Sequence, residues 1–349
     1  MRNKIVRIGV VGIGIWGRMH VRAYMQHPSA ELVALCDLDE NRLQKATEEF
    51  GVPKYYTKID DMLGKEELDG ISIATPDTAH AEVTIKAAEK GIHILVEKPL
   101  ATTIEECERM IAAAKANGVY LMVDWHNRWN PPIYYAWKTI RSGELGKVIY
   151  IYYRLSDTIY VPTKMLPWAG KSSVMLFLGS HALDTTCWLI GEEPTRVYCE
   201  KKEGILKNMG IPTADMYITH LSFANGATAI VENSWVLPQS SPSLIDHKCE
   251  IIGSKGIIYI DPTHSRAFAR YTDKTPAGFP DASLPDMFIS PEIHGRQLGF
   301  AVESIYHFVE CIRDGEKPLT CGEDGLLNMR LILAAEESAR TGTPVELTK

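Results

Sequence analysis

Short apolar runs alternate with helical patterns through the first third of the chain, and this alternation limits the folds that the chain can adopt. The runs lie at residues 7–12, 32–36, 70–74, 92–96 and 120–123. Most of the amphipathic segments between them end beside a glycine, as helices commonly do. Nearly uniform apolar strands separated by such helices are typical of a parallel sheet covered on both faces. Right-handed crossovers then predict an α/β fold with a doubly wound parallel sheet.

The pattern changes after the last of these runs, where β-branched and aromatic segments are separated by turn signals. One such segment covers residues 147–154, and Asn225-Gly226 lies between two others. The Asn-Gly pair predicts a hairpin, and the stretch from Gly253 to Gly256 predicts a second. We therefore expect an antiparallel or mixed sheet in a second domain of α+β class. The predicted domains are residues 1–123 and 124–349.

Composition excludes several classes of protein. The chain has 349 residues, enough for two domains, and a net charge of −7, which argues against a nucleic-acid-binding surface. The seven cysteines include no Cys-x-x-Cys pair, which indicates reduced thiols in a cytoplasmic protein and neither a disulfide framework nor a zinc site. The apolar stretch 8–15 is too short for a spanning helix and is not followed by a cleavage site. We expect neither membrane insertion nor export.

Gly12-Ile13-Gly14-Ile15-Trp16-Gly17 has the spacing of a dinucleotide-binding turn. It follows a predicted strand and opens a predicted helix, where glycines let a pyrophosphate approach the helix N-terminus. Asp37 ends the next strand, 20 residues beyond Gly17, where a carboxylate binds the ribose hydroxyls and repels a 2′-phosphate. Residues 38–40 supply no arginine for such a phosphate, so NAD is predicted in preference to NADP. The alternative is a set of turn glycines beside a solvated aspartate.

Two tripeptides follow other predicted strands of the same sheet, Ala74-Thr75-Pro76 and Glu97-Lys98-Pro99. Ligands of open parallel sheets bind at the carboxyl ends of the strands, so both tripeptides are expected to border the cofactor crevice. Lys98 stands between a buried strand and a proline, a place from which it can donate to a substrate oxygen. The alternative for a lone lysine is a surface ion pair, here with Glu97.

Further motifs continue into the second half of the chain. Together with the glycine motif and Asp37, they are Ala74-Thr75-Pro76 with His80, Glu97-Lys98-Pro99-Leu100, Gly179-Ser180-His181-Ala182-Leu183-Asp184, 318–325 and 336–342. In this order they resemble the Gfo/Idh/MocA oxidoreductase family over essentially the whole chain. The resemblance implies an NAD(P)-dependent Rossmann domain and an α/β domain with a large open sheet, which commonly mediates dimers or tetramers. It also implies substrates among sugars, cyclitols and their derivatives.

The resemblance assigns the catalytic roles. Lys98 matches a lysine that contacts both the nicotinamide ribose and the substrate hydroxyl, and His181 matches the proton acceptor. Removal of the hydroxyl proton as hydride leaves suits a base with a pKa near 7, and a lysine cation stabilises the developing alkoxide. Asp184 shares a helical face with His181 and orients it or binds a substrate hydroxyl. The alternative for His181 is a histidine satisfied within the core.

One position departs from the family pattern, because Phe177 stands where an acid is usual. A replacement acid then comes from elsewhere, with Asp157 and Asp184 as candidates. Trp168 matches a tryptophan often found near the cofactor, whereas Asn127 and Arg128 admit either substrate contact or an interdomain salt bridge. The loop histidines lack metal-ligand spacing, so no metal is predicted.

The predicted cofactor-binding residues are Gly12, Gly14, Ile15, Trp16, Gly17, Asp37, Thr75, Pro76, His80, Glu97 and Lys98, and the predicted substrate-binding residues are Asn127, Arg128, Asp157, Trp168 and Asp184. The sequence thus predicts an NAD-dependent oxidoreductase that transfers hydride between the cofactor and a secondary hydroxyl or ketone of a sugar, glycoside or cyclitol. A cytoplasmic homodimer or homotetramer is expected. Two alternatives are a redox-neutral enzyme with tightly held NAD and a non-catalytic, NAD-dependent sugar sensor.

Overall fold

A computed structural model describes residues 4–241, 243–264 and 288–347. Two compact units are present, the described part of Met1–Trp129 with Phe288–Met329, and that of Asn130–Met287 with Arg330–Lys349. None of the helices in these residues combines the length and apolar character needed to cross a membrane.

Strands are distributed along the whole described chain. They are β1 (Val6–Val11), β2 (Ala30–Cys36), β3 (Tyr55–Tyr56), β4 (Gly70–Ile73), β5 (His93–Val96), β6 (Leu121–Val123), β7 (Val148–Asp157), β8 (Pro194–Lys202), β9 (Met216–Phe223), β10 (Thr228–Ser234), β11 (Ile245–Gly253), β12 (Gly256–Ile260), β13 (Glu292–Ile293), β14 (Arg296–Gln297) and β15 (Val345–Glu346).

Helices connect most of these strands. They are α1 (Ile15–Gln26), α2 (Glu40–Phe50), α3 (Ile59–Lys65), α4 (His80–Glu89), α5 (Ile104–Ala116), α6 (Pro131–Arg141), α7 (Ser180–Ile190), α8 (Ile205–Asn208), α9 (Phe300–Asp314) and α10 (Gly322–Thr341). Short 3₁₀ or π turns cover Asp77–Ala79, His126–Trp129, Val161–Met165, Ala169–Lys171, Met175–Gly179 and Pro262–His264.

The first unit is built on a six-stranded sheet in the order β3-β2-β1-β4-β5-β6. Every pair of neighbours is parallel, which confirms the predicted doubly wound sheet. Strand β4 inside the sheet and strand β6 at its edge are buried at every residue, because helices cover both faces of such a sheet. Asp39 caps α2 by accepting from the Arg42 backbone N–H, and Gly51 ends that helix with a positive φ of 67°.

Helix α9 completes the core of this first unit although it lies near the end of the chain. Its residues Ala301, Ile305, Phe308 and Val309 are fully buried and belong to the same apolar cluster as the strand β1. An amphipathic pattern predicts a buried face but not the surface that covers it. The structure groups α9 with the parallel sheet, whereas the division into 1–123 and 124–349 is a single cut in the chain and stays a prediction about domains.

The second unit contains a seven-stranded sheet in the order β12-β11-β7-β10-β9-β8-β15. Only the β7–β10 pair is parallel, so the sheet is mixed and mostly antiparallel, as the sequence predicts. Both predicted hairpins are present, β9–β10 around Asn225-Gly226 and β11–β12 around Gly253–Gly256. In the first of them Gly226 has a φ of 85°, the backbone geometry that favours glycine.

His247 on β11 makes the stability of this unit depend on pH. Burial lowers the pKa of His247 to about 4, and the nearby Asp246 and Asp261 only partly oppose that effect. The unfolded chain therefore binds a proton in weak acid that the folded chain excludes. The free energy of unfolding should fall by about 2 kcal/mol between about pH 7 and pH 5. Urea unfolding at both pH values measures this loss.

A matched pair of variants tests the assignment to His247. His247→Gln replaces the titrating ring with a neutral amide, so this part of the pH dependence should disappear. His294→Gln removes an exposed histidine from the first unit and should keep the wild-type dependence. An unchanged dependence in His247→Gln would contradict the prediction.

Candidate cofactor site and active site

The glycine turn between β1 and α1 leaves space for a ligand. Gly12 has a φ of 86°, and a Cβ there would lie 2.5 Å from the carbonyl oxygen of Ala74. A Cβ on Gly17 would overlap the carbonyl oxygen of Gly12, whereas one on Gly14 would meet nothing within 4 Å. Two glycines are thus required by close packing, and the third leaves an open cradle at the start of α1. Such a cradle fits the pyrophosphate of a dinucleotide.

The first two residues of α1 have different environments, one in solvent and the other against an aromatic ring. Ile15 is 69% exposed, and the ring of Trp16 stacks on His126 with a centroid distance of 5.6 Å. Gly14 precedes them without a side-chain cap, which keeps this helix end suited to an anion.

Asp37 is anchored directly beside this turn. Its carboxylate accepts from the Ile13 backbone N–H at 2.7 Å and from the Asp39 backbone N–H at 2.9 Å. Arg42 on α2 also lies 3.0 Å from the carboxylate, and its side chain is half exposed. Residues 38–40 supply no arginine, as stated from the sequence, but Arg42 just beyond them does lie at this strand end. The first turn of α2 brings position 42 back to Asp37.

The two tripeptides after β4 and β5 lie at the same edge of the sheet as the glycine turn. β4 pairs with both β1 and β5, and the register aligns the carboxyl ends of the three strands. The Ala74 backbone N–H donates to Val11, and the Glu97 backbone N–H donates to Ile73. Lys98 is half-buried at this edge, and its peptide bond to Pro99 is cis. The predicted placement of Lys98 beside the cofactor turn therefore agrees with the strand order.

His80 joins the two tripeptides to each other. It begins α4, is 1% exposed, and lies 3.0 Å from the carbonyl oxygen of Thr75 through Nε2 and 2.9 Å from that of Pro99 through Nδ1. Carbonyl oxygens only accept, so a ring nitrogen that carries a proton donates to the carbonyl that it faces. Pro76 follows Thr75 and is exposed. Direct contact of His80 with a cofactor stays a prediction.

A buried polar cluster, which sequence patterns did not reveal, lies behind Glu97. His20 on α1 contacts Glu97 at 3.0 Å through Nε2 and Ser72 at 2.6 Å through Nδ1. Asp124, directly after β6, lies 3.7 Å from the same Nε2 and accepts from Ser304 at 2.7 Å. The one sequence signal for this cluster was the presence of polar residues within otherwise apolar elements.

The charge of Asp124 is held by its neighbours. Burial by itself would raise the pKa of Asp124, but His126, His20 and the Ser304 hydroxyl outweigh burial and hold that pKa below its ordinary value. A buried carboxylate is stable only when such partners replace water.

The same cluster is the one group of histidine and carboxylate ligand atoms within metal-binding distance that the described residues contain. The atoms of His20, Glu97 and Asp124 lie within 4.8 Å of one another. Both ring nitrogens of His20 already have hydrogen-bond partners, so its chemistry is that of a donor within a polar network. The absence of a metal stays a prediction.

Asn127 and Arg128 belong to the first unit, in the 3₁₀ turn after β6. Both are buried, and the Arg128 guanidinium donates to Asp324 at 2.9 Å and to the Leu319 carbonyl at 3.2 Å. Arg128 thus fastens the turn to the start of α10. A contact of either residue with substrate stays a prediction.

In the second unit, His181 and Asp184 lie in the first turns of α7. They are 6% and 5% exposed, and Asp157, the last residue of β7, is 1% exposed. α7 is preceded by the π turn Met175–Gly179, where a Cβ on Gly179 would lie 2.6 Å from the Met175 sulfur. The π turn and helix α7 therefore determine the backbone position of His181.

Phe177 occupies an aromatic contact in this turn. Its ring centroid lies 5.9 Å from that of Trp168 and 5.8 Å from that of Trp235. Trp235 is fully buried and Trp168 is 44% exposed, so the group reaches from the core to the surface. Phe177 therefore places an apolar ring in the π turn, four residues before His181.

Both halves of the chain match models of one known protein family. The NAD-binding Rossmann-fold model of the Gfo/Idh/MocA oxidoreductase family matches residues 6–125, and the model of its C-terminal alpha/beta domain matches residues 137–347. The chain is 30% identical to scyllo-inositol 2-dehydrogenase (NAD(+)) of Bacillus subtilis (strain 168), with 98% of this chain and 96% of that protein covered. It is 28% identical to D-xylose 1-dehydrogenase (NADP(+)) 2 of Haloferax volcanii, with 97% and 98% covered.

A solved structure shows the same fold. The crystal structure of myo-inositol 2-dehydrogenase from Lactobacillus plantarum matches with a TM-score of 0.82 and 22% identity, over 99% of this chain and 100% of that one. Two family models that together span nearly the whole chain agree with the observed parallel and mixed sheets. The chain therefore belongs to the Gfo/Idh/MocA oxidoreductase family.

Proposed function

We propose that the protein oxidises a secondary hydroxyl of a sugar, glycoside or cyclitol with NAD, or catalyses the reverse reduction. The observation that carries this proposal is the position of Lys98 at the sheet edge that holds the open glycine cradle. Bound NAD supplies the hydride acceptor. Gly12, Gly14 and Gly17 would hold its pyrophosphate at the start of α1, and Asp37 would bind its ribose.

The proton chemistry is assigned to two side chains. Oxidation of a secondary alcohol removes one hydride from carbon and one proton from oxygen, which leaves a ketone. We assign the proton to an imidazole nitrogen of His181, and the developing alkoxide charge to the ammonium group of Lys98. Asp184 then orients the imidazole or binds a second hydroxyl, and Asn127, Arg128, Asp157 and Trp168 are the further substrate contacts in this proposal.

A screen of sugars and cyclitols with NAD tests the reaction. Turnover that raises the near-ultraviolet absorbance of NADH supports the proposal. Consumption of substrate without net NADH instead supports the redox-neutral alternative, for which the aromatic side chain of Phe177 four residues before His181 is the specific observation. Binding of sugar and NAD without any turnover supports a sensor, a function that needs neither Lys98 nor His181.

The preference between NAD and NADP is expected to depend on Asp37 and Arg42. In the wild-type protein the Asp37 carboxylate favours NAD, because it repels a 2′-phosphate and also pairs with Arg42. Asp37→Ala removes the repulsion and releases the guanidinium, so the ratio of kcat/KM for NADP to that for NAD should rise by roughly 10- to 100-fold. Initial rates with each cofactor measure the ratio.

Two further variants make this prediction specific. Asp37→Ala combined with Arg42→Ala should lose most of the gain toward NADP, because no cation remains for the phosphate. Glu40→Gln removes one negative charge at the start of the same helix and should leave the cofactor ratio near that of the wild type. Unchanged selectivity in Asp37→Ala would overturn the role given to Asp37.

We also propose a cytoplasmic homodimer or homotetramer that associates through the seven-stranded sheet. Ile218, Ile252 and Tyr259 on three of its strands are 38%, 40% and 69% exposed, and a second copy of this sheet would bury such apolar surface. Light scattering coupled to gel filtration tests the assembly, and a monomeric mass at all concentrations would contradict it.

A further inference from the structure

We propose that His20 and His80 are positioning residues that hold the main chain on either side of Lys98. This inference rests on the proposed function, in which Lys98 meets the reacting oxygen. His20 acts on the residue before Lys98, and His80 acts on the residue after it. Neither histidine touches the reacting atoms in this proposal.

The first contact runs through Glu97. One oxygen of the Glu97 carboxylate lies 3.0 Å from Nε2 of His20, and the other accepts from the Lys98 backbone N–H at 3.2 Å. Glu97 is 6% exposed, so water does not compete for either oxygen. A displaced carboxylate would therefore carry the Lys98 backbone with it.

His20 is itself held from the other side. It is fully buried, and its Nδ1 lies 2.6 Å from the Ser72 hydroxyl on β4. Asp124 lies 3.7 Å from Nε2 and is held by Ser304 on α9. His20 thus has Ser72 on one ring nitrogen and two buried carboxylates near the other, and a rotation of the ring would take Nε2 away from Glu97.

The second contact runs through Pro99. His80 bridges the Pro99 carbonyl oxygen and the Thr75 carbonyl oxygen, with both distances at or below 3.0 Å. It therefore ties the segment after β5 to the segment after β4, which packs directly on Gly12. Since Glu97 and Pro99 are both fastened, the Cα position of Lys98 between them is set by buried groups.

A small displacement of Lys98 would have a large kinetic effect. Loss of about 1 Å in the placement of a reacting group costs roughly 10²-fold in rate. His20 would therefore affect kcat more than the binding of NAD, because it is not among the predicted cofactor contacts. His80 is one of those contacts, so its variant is judged on kcat.

The test is a double-mutant cycle on kcat with Lys98→Ala. The single amide of His20→Gln cannot reach Ser72, Glu97 and Asp124 together. The one amide nitrogen of His80→Gln does not replace two ring nitrogens that face different carbonyls. Each of His20→Gln and His80→Gln should lower kcat by roughly 10- to 100-fold, and His20→Gln should change KM for NAD by less than about threefold. In the Lys98→Ala background, measured with enzyme in excess over substrate, each should lower the remaining rate by about twofold or less.

His27→Gln is the matched control. His27 follows α1, is 5% exposed, and accepts from the Ser29 backbone N–H, so it is a buried histidine of the same unit with no contact to Glu97 or Pro99. It should leave kcat near that of the wild type in both backgrounds. Thermal unfolding checks each variant for a folded state. If His20→Gln does not fold, His80→Gln and the milder Ser72→Ala decide the test.

The results distinguish a failure of the positioning role of His20 and His80 from a failure of the proposed function. Equal losses of kcat from the histidine variants with and without Lys98 would overturn the positioning role and leave the proposed function intact. Losses confined to KM for NAD would also overturn it. Full turnover in Lys98→Ala alone would instead overturn the proposed function.

Discussion

Replacing Lys98 with alanine is expected to lower kcat by roughly 10²- to 10³-fold, the effect of removing one preorganised charge from a developing oxyanion. The loss should appear in kcat and in kcat/KM together, because the charge is needed most in the transition state. Steady-state NADH production with the best substrate from the screen measures it. NAD affinity, followed by quenching of tryptophan fluorescence, should change far less.

Two further lysine variants define the cause. Lys98→Arg keeps a cation at the sheet edge and should recover part of the lost rate, although the larger guanidinium does not place its charge identically. Lys90→Ala removes an exposed lysine after α4 in the same unit and should have wild-type kinetics. Wild-type turnover in Lys98→Ala would show that this lysine is a surface ion pair with no catalytic role.

Replacing His181 with asparagine is expected to lower kcat by roughly 10²- to 10⁴-fold, the usual contribution of a positioned general base. An amide fills similar space in the first turn of α7 but takes up no proton. The wild-type kcat should rise with pH as the base loses its proton, and this rise should be absent from the variant. Rates across a pH series measure both effects.

His220→Gln supplies the control for this variant. His220 is half-buried and lies on β9 of the same unit, whereas His181 lies on α7. It should keep the wild-type rate and pH profile. If His181→Asn keeps both as well, His181 is a core histidine, and the proton acceptor must be another residue such as Asp157 or Asp184.

Local patterns determined the parallel sheet and its ligand-binding edge. Strands buried on both faces are apolar at nearly every position, so segments such as β1, β4 and β5 are visible without knowledge of their partners. All strands of a parallel sheet run in one direction, so their carboxyl ends lie at one edge of the sheet. The placement of Thr75 and Lys98 at one edge was thereby predictable from the chain alone.

Helix α9 shows what a sequence pattern does not predict, namely the surface on which a helix packs. Its amphipathic repeat predicted a helix between residues 300 and 313, and the helix is present as Phe300–Asp314. The repeat could not show that Ile305 and Phe308 pack with the β1 cluster, because an apolar face is compatible with any apolar surface. The predicted division assigned this helix to residues 124–349 only because it comes late in the chain.

The sequence by itself determined the family, the glycine cradle and the candidate residues at the strand ends, because short motifs carry the local backbone geometry that this chemistry needs. Only the tertiary structure decided which groups surround them. Arg42 reaches Asp37 by a helical turn, and His20 meets Glu97 across 77 residues of chain. Contacts of that kind depend on how crossovers bring distant segments together. The sequence around a single residue such as His20 or Asp124 does not show which residues it will contact in the folded protein. The position of Lys98 at a strand end was therefore predictable, whereas the buried contacts of its neighbours Glu97 and Pro99 were not.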